Sequence, residues 1–230
     1  MKYFQLILLI SCLFFTACDG RQSHKILIIT GGHEYDRENF VEMFESFEGI
    51  EFDEAIQPEA NQIYASDSID QYDVLVYYDM VQEISEEQKS AFLEMMEQGK
   101  GIVFLHHSLA SYQDWDEFLK IRGGRYDLET STYAHGQDIV VKISDPKHPI
   151  TKGLEAFKIH EETYNSCEVL PGVHPLIQID HPGSEKIIGW TNKYGKSRIV
   201  YLQPGHDNNA FSNSGYRRLV QRSIVWAGGN

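Results

Sequence analysis

Three short runs of continuous apolar residues constrain this chain more than any other feature. They are Lys25-Ile26-Leu27-Ile28-Ile29-Thr30, Asp73-Val74-Leu75-Val76-Tyr77-Tyr78 and Gly101-Ile102-Val103-Phe104-Leu105. A strand with one wet face alternates apolar and polar residues, and these runs have no polar face to offer. Each needs cover on both sides, which a parallel sheet with helices on both faces provides. Helical patterns lie between the runs. One begins near Asp36 and repeats Phe40, Met43, Phe44 and Phe47 at i, i+3, i+4 and i+7. Another opens on the capping box Ser85-Glu86-Glu87-Gln88, buries Phe92, Met95 and Met96, and stops at Gly99. With a further strand at residues 51–56, this alternation predicts an α/β fold: a doubly wound, mostly parallel sheet flanked by helices.

The second half is richer in strands, expected at residues 138–143, 175–179, 186–190 and 197–202. The turn Lys193-Tyr194-Gly195-Lys196 joins the last two as a hairpin, so this half adds antiparallel strands. A closing helix carries the stripe Tyr216, Leu219, Val220, Ser223, Ile224 and Ala227 and ends at Gly228-Gly229. No repeat or low-complexity linker interrupts residues 25–230, which read as one domain.

Residues 1–17 read differently. Lys2 precedes an apolar run from Phe4 to Phe15, too short to span a bilayer as a helix, and Phe15-Thr16-Ala17-Cys18 resembles a bacterial lipobox. The expectation is a lipoprotein signal peptide over 1–17, lipidation of Cys18, and a lipidated tether over 18–24 that includes His24. A plain secretory signal is the alternative. The protein is then expected in the cell envelope, lipid-anchored to a bacterial membrane and facing the periplasm or the cell surface. Of the three cysteines, only Cys167 remains for the domain, so no intrachain disulfide is available, and Cys167 reads as a buried structural thiol. A net charge of −14 argues against nucleic acid or an anionic lipid surface as a partner, leaving the N-terminal lipid as the membrane contact.

In an open parallel sheet, ligands bind beyond the carboxyl ends of the strands. That rule selects Gly31-Gly32-His33-Glu34, Asp79, His106-His107-Ser108 and Gln203-Pro204-Gly205-His206-Asp207. Three strand ends thus deliver histidine to one edge. His148, His174 and His181 neighbour prolines and read as turn residues. His135 and His160 are expected on polar loops able to close over the site.

The chain resembles the ThuA-like (trehalose utilisation) family. The matching stretches include Ile29-Thr30-Gly31-Gly32-His33, Phe104-Leu105-His106-His107-Ser108, Gly123-Gly124-Arg125-Tyr126 and His148-Pro149-Ile150-Thr151-Lys152-Gly153-Leu154. Glu161-Glu162-Thr163-Tyr164, Tyr201-Leu202-Gln203-Pro204-Gly205-His206 and Ile224-Val225-Trp226-Ala227-Gly228-Gly229 continue the match in order. The resemblance implies the class I glutamine amidotransferase-like (flavodoxin-like) fold and a role in carbohydrate catabolism, including keto-sugars. Thiol-dependent relatives of this fold present a cysteine after a central strand. Here that turn is Leu105-His106-His107-Ser108, so thiol amidotransferase chemistry is excluded, and Ser108 lacks the small neighbours of a serine elbow.

Acid–base chemistry by His106, Glu162 and His206 is therefore expected, on a sugar, keto-sugar or glycoside. His33, His107, Tyr112, Trp115, Tyr133 and Tyr164 are the expected substrate contacts, with Tyr112, Trp115 and Tyr133 available to stack on a sugar face. The rival mechanism places a divalent metal such as zinc among His106, Glu162 and His206. A non-catalytic sugar-binding lipoprotein, or a scaffold partner of a sugar dehydrogenase or uptake system, are the alternatives to an enzyme.

Overall fold

The apolar runs become the centre of one sheet. A computed structural model describes residues 23–229, so the expected signal peptide, Cys18 and most of the expected tether lie outside the described residues. The first half follows the predicted alternation: β1 (His24–Gly31), α1 (Arg37–Glu45), β2 (Ile50–Ile56), β3 (Val74–Asp79), α2 (Glu86–Gln98) and β4 (Gly101–Leu105). A single-turn 3-10 segment, His106–Ala110, leads to α3 (Asp116–Arg122) and β5 (Gly124–Arg125). Next come β6 (Thr132–Ile143), β7 (Phe157–Asn165), β8 (Glu168–Val169), β9 (His174–Gln178), β10 (Ile187–Tyr194) and β11 (Ser197–Leu202). The short α4 (Asn208–Phe211) and the closing α5 (Ser214–Ala227) complete the chain.

Among the described residues the main sheet has nine strands in the order β2-β1-β3-β4-β11-β10-β9-β6-β7. The first five are mutually parallel, and from β11 onward every pairing is antiparallel. Sequence order reverses at β1/β3, the switch point of a doubly wound sheet. The sheet separates two apolar layers. Ile26, Ile28, Val103 and Leu105 face a core built with α1 and α5, while Leu27, Ile29, Ile102 and Phe104 face an aromatic core built with α2 and α3. All eight are at most 2% exposed, as continuous apolar runs require.

Local signals hold where they were predicted. The Asp36 side chain caps α1, and Ser85 with Gln88 closes both halves of the α2 capping box. Gly99 takes the left-handed conformation that ends α2. The entire α5 stripe is buried.

Four expectations are corrected. His24 belongs to β1 rather than to the tether: it is 2% exposed and paired in register with Ile50. His174 opens β9 instead of sitting in a turn. The long hairpin β6–β7 replaces the expected polar loops around His135 and His160, because its residues find strand partners that no local pattern announces. Cys167 is half-buried rather than fully enclosed, though burial still pushes its thiol up to about 12. Among the described residues, no helix is long and apolar enough to cross a membrane.

Candidate active site

The carboxyl ends of β1, β3, β4 and β11 open onto a cleft of about 440 Å³, lined by His33, Met80, His106, His107, His206 and, from the opposite side, the β6–β7 hairpin. A larger, shallower groove of about 650 Å³ lies elsewhere, between Pro58, Gln82 and Trp115, and contains no histidine. The convergent titratable groups are all in the smaller cleft.

His106 is its centre. It directly follows β4, where the chain turns sharply, and it has φ +48°, a left-handed conformation rare for a residue with a Cβ. Such strain costs on the order of 1–3 kcal/mol and survives where the surroundings over-determine it. Here they do. The Nδ1 of His106 lies 2.8 Å from the Gln203 carbonyl oxygen, which can only accept, so Nδ1 carries a proton. Its Nε2 lies 3.1 Å from Glu162 Oε2, 3.3 Å from His206 Nδ1 and 3.0 Å from the Tyr164 hydroxyl. The ring stacks on Tyr164 at 5.2 Å.

The two consecutive glutamates of β7 do different work because strand residues alternate faces. Glu162 and Tyr164 point toward His106. Glu161 points the other way and accepts the backbone N–H groups of Gly205 and His206, both at 3.0 Å. It thereby fixes the loop that carries His206. The β6–β7 register breaks between Ala134 and Gln137, and Gly136 within that irregularity has φ +68°. A bulge re-aims the side chain beside it. His135 is that side chain, and its Nδ1 reaches Glu162 Oε1 at 3.0 Å. Glu162 is thus met by His106, His135 and, at 3.5 Å, His206.

The electrostatics follow from this crowding. Burial pushes the His106 imidazole down, but the Glu162 hydrogen bond and the charges of Glu161 and Glu162 outweigh it and leave His106 above the usual histidine range. Burial pushes Glu162 up, yet its hydrogen bond to His106 and the neighbouring imidazoles hold it below the usual carboxylate range. Together they form a buried ion pair. Burial and the neighbouring His106 keep His206 below its ordinary value. Burial and nearby histidines push His107 well below it, so that ring is neutral. Burial first, then Glu162, keeps the Tyr164 hydroxyl protonated far above neutrality.

Seven of the nine residues expected at the site meet here. His33 stacks on His107 with centroids 4.6 Å apart, and Tyr133, 59% exposed, stands at the mouth. Tyr112 and Trp115 do not belong. Tyr112 is buried, with its hydroxyl bonded to Asn61 and Gln57 in the aromatic core. Trp115 stacks on Phe118 in the same core and borders the larger groove instead. Both follow a segment that turns away from the strand end, a direction that sequence spacing does not encode. Ser108 is fully buried and does not line the cleft. His160 faces outward and pairs with Asp138. Sequence reasoning missed the positioning part played by Glu161. The adjacent pair Glu161-Glu162 would have revealed it only once residues 157–165 were read as a strand.

The family model for ThuA, trehalose utilisation, matches residues 25–227. Among solved structures, a ThuA-like protein from Parabacteroides merdae superposes with a TM-score of 0.77 at 21% identity, covering 90% of this chain and 91% of that one. A ThuA-like protein from Bacteroides uniformis gives 0.70 at 20% identity, with 93% and 95% covered. A chain of PurLQS from Thermotoga maritima, at 15% identity, gives 0.61 with 89% and 99% covered, and places the fold with the glutamine amidotransferase-like proteins. No curated protein matches the sequence. The chain belongs to the ThuA family.

Proposed function

We propose that this ThuA-family chain is an enzyme of carbohydrate catabolism, acting in the histidine-rich cleft on a sugar, keto-sugar or glycoside. The observation that carries this reading is Glu162, a buried carboxylate held in its charged form at the cleft floor between histidines from three chain segments. Family membership supports carbohydrate as the substrate class. A cleft that mixes imidazoles with Tyr126, Tyr133 and Tyr164 suits a polyhydroxylated ring, which offers hydroxyls to polar groups and C–H faces to aromatics.

The proton chemistry divides by environment. His206, half-buried and held below its ordinary value, is neutral at working pH and accepts a proton from a substrate hydroxyl or from the carbon beside a carbonyl. His106, charged against Glu162, returns a proton to an oxygen that gains charge. Tyr164 stays protonated and donates a hydrogen bond to the same oxygen. His33 and His107 shape the opposite wall. The elbow after β4, where thiol relatives of this fold place a cysteine, holds His106, so the strained position delivers an acid–base group rather than a nucleophile.

At the level of the cell, we place this activity at the envelope, with the domain held by a lipid on Cys18. Incorporation of labelled palmitate, lost in Cys18→Ala, is the expected result.

The function is tested by incubating the protein with trehalose, other disaccharides and their keto derivatives, and analysing the products by chromatography. Turnover of at least one is expected to fall about 10²- to 10⁴-fold in His106→Ala and Glu162→Gln, the range for loss of an acid–base group. Calorimetric affinity for the same sugar should change far less. Sugar binding without turnover in the unaltered protein would replace the enzyme with a binding module, and the absence of both would overturn the carbohydrate reading.

A further inference from the structure

We propose that His106, Glu162 and His206 form a mononuclear, four-coordinate divalent-cation site of the zinc type, with its fourth position open to the cleft. The proposal rests on the reading of this cleft as the reactive site and changes its chemistry. With an ion bound, His106 and His206 are ligands, and the proton-carrying roles given to them above belong to the ion-free cleft. Its test does not depend on turnover.

The first ground is the kind of atom that converges. The Nδ1 of His106 donates to the Gln203 carbonyl, so a cation that displaces the Nε2 proton shared with Glu162 meets an Nε2 lone pair directed inward. His206 Nδ1 and Glu162 Oε2 point at the same spot. The three separations are 3.1 Å, 3.3 Å and 3.5 Å. Three electron-pair donors meet at one point, and a single proton lies along one edge of that triangle without serving all three. A cation at the centre serves all of them.

The second ground is the size of the triangle. Ligands about 2.0–2.1 Å from a tetrahedral ion are separated by roughly 3.3–3.4 Å. The observed triangle averages that spacing, so the three atoms already describe one face of the tetrahedron. Two imidazoles and one carboxylate are a donor set that suits zinc and its first-row neighbours.

The third ground is support behind each ligand, which metal sites need to hold geometry. Gln203 orients His106. Glu161 anchors the backbone of His206 through its N–H at 3.0 Å. His135 engages the other oxygen of Glu162 at 3.0 Å and leaves Oε2 directed at the triangle. All three ligands line the cleft, so a fourth ligand from water or substrate has a path in. An ion bound there would act as an electrophile toward a sugar carbonyl or hydroxyl.

The test uses the full chain, purified without chelator, then stripped and titrated with Zn²⁺ and Co²⁺. One ion per chain is expected, with the intense visible absorption of four-coordinate Co²⁺ and a raised Tm on Zn²⁺ addition. His206→Ala, which trims a side chain that is 29% exposed, should weaken Co²⁺ binding at least 100-fold and abolish the Tm rise. Glu162→Gln should do the same, whereas His160→Ala, a surface control, should change neither. Absence of stoichiometric binding, or binding indifferent to His206 and Glu162, would overturn the site. Weak, octahedral-type Co²⁺ absorption would overturn its four-coordinate form. Sugar binding measured on the stripped protein separates failure of this proposal from failure of the carbohydrate reading.

Discussion

Two residues carry unusual burdens. His106 combines a left-handed backbone, full burial and a charged partner, and each feature explains another. The turn puts the ring at the cleft floor, and burial makes the Glu162 contact strong enough to hold the ring charged. Asp79 at the end of β3 is the opposite case. It is 1% exposed, burial raises its carboxyl to about 7, and its Oδ2 has no hydrogen-bond partner. The Ser111 hydroxyl and the charge of Arg122 offset only part of that penalty. Because the folded state holds this proton more tightly than the unfolded chain, the contribution of Asp79 to stability is greatest below about pH 4 and falls as pH rises toward 7. The loss amounts to about 4 kcal/mol above that range. Asp79→Asn removes the titration. Thermal melts should show its Tm gaining on the parent as pH is raised from 5 to 8. A Tm deficit that widens over the same interval would mean that Asp79 works as the charged partner of Arg122.

At the scale of elements, helices and the β6–β7 hairpin obey different rules. The start of α2 is local chemistry: the Ser85 hydroxyl accepts from Gln88 N, and the Gln88 side chain returns to Ser85 N. Ser85→Ala should therefore cost about 1 kcal/mol in urea unfolding, with sugar binding unchanged, since no residue of α2 lines the histidine-rich cleft. The hairpin is not local. Residues 157–165 contain Lys158, His160, Glu161, Glu162 and Asn165, a composition that reads as loop. They form a strand because β6 pairs with them across an intervening segment. Glu161, Glu162 and Thr163 are buried by the site they build, so the usual apolar alternation is missing where the function is densest. The strand-end histidines could be read from the sequence, since each follows an apolar run within four residues. His135 could not, since its aim depends on a bulge.

For the molecule as a whole, the sheet is both scaffold and partition. β4 lies beside the middle strand β11, with Val103 and Leu105 turned to one core and Phe104 to the other. Phe104 is fully buried and touches Tyr77 and Phe118. Phe104→Ala should lower unfolding free energy by about 3–5 kcal/mol, measured by urea denaturation. The same change should reduce ligand affinity at the cleft little while the protein remains folded, because Phe104 faces the aromatic core and its neighbour Leu105 leads into the elbow. Antiparallel strands added beyond β11 lead to β7 at the sheet edge, whose Glu162 and Tyr164 reach His106 at the end of the parallel half.

The sequence by itself determined the parallel half, the helix caps, the buried stripe of α5 and the edge at which His33, His106, His107 and His206 collect. These rest on contacts within a turn or on the solvent preference of a short run, which operate wherever the chain goes. Tertiary structure alone decided that Glu161 and Glu162 face opposite ways, that His135 reaches the carboxylate, and that Tyr112 and Trp115 fall into a core. It also decided that three donor atoms from the turn after β4, from β7 and from the loop after β11 lie within 3.5 Å of one another. Those outcomes depend on pairing between residues dozens of positions apart, where a shift of one residue reverses every side chain, and no local pattern carries that information.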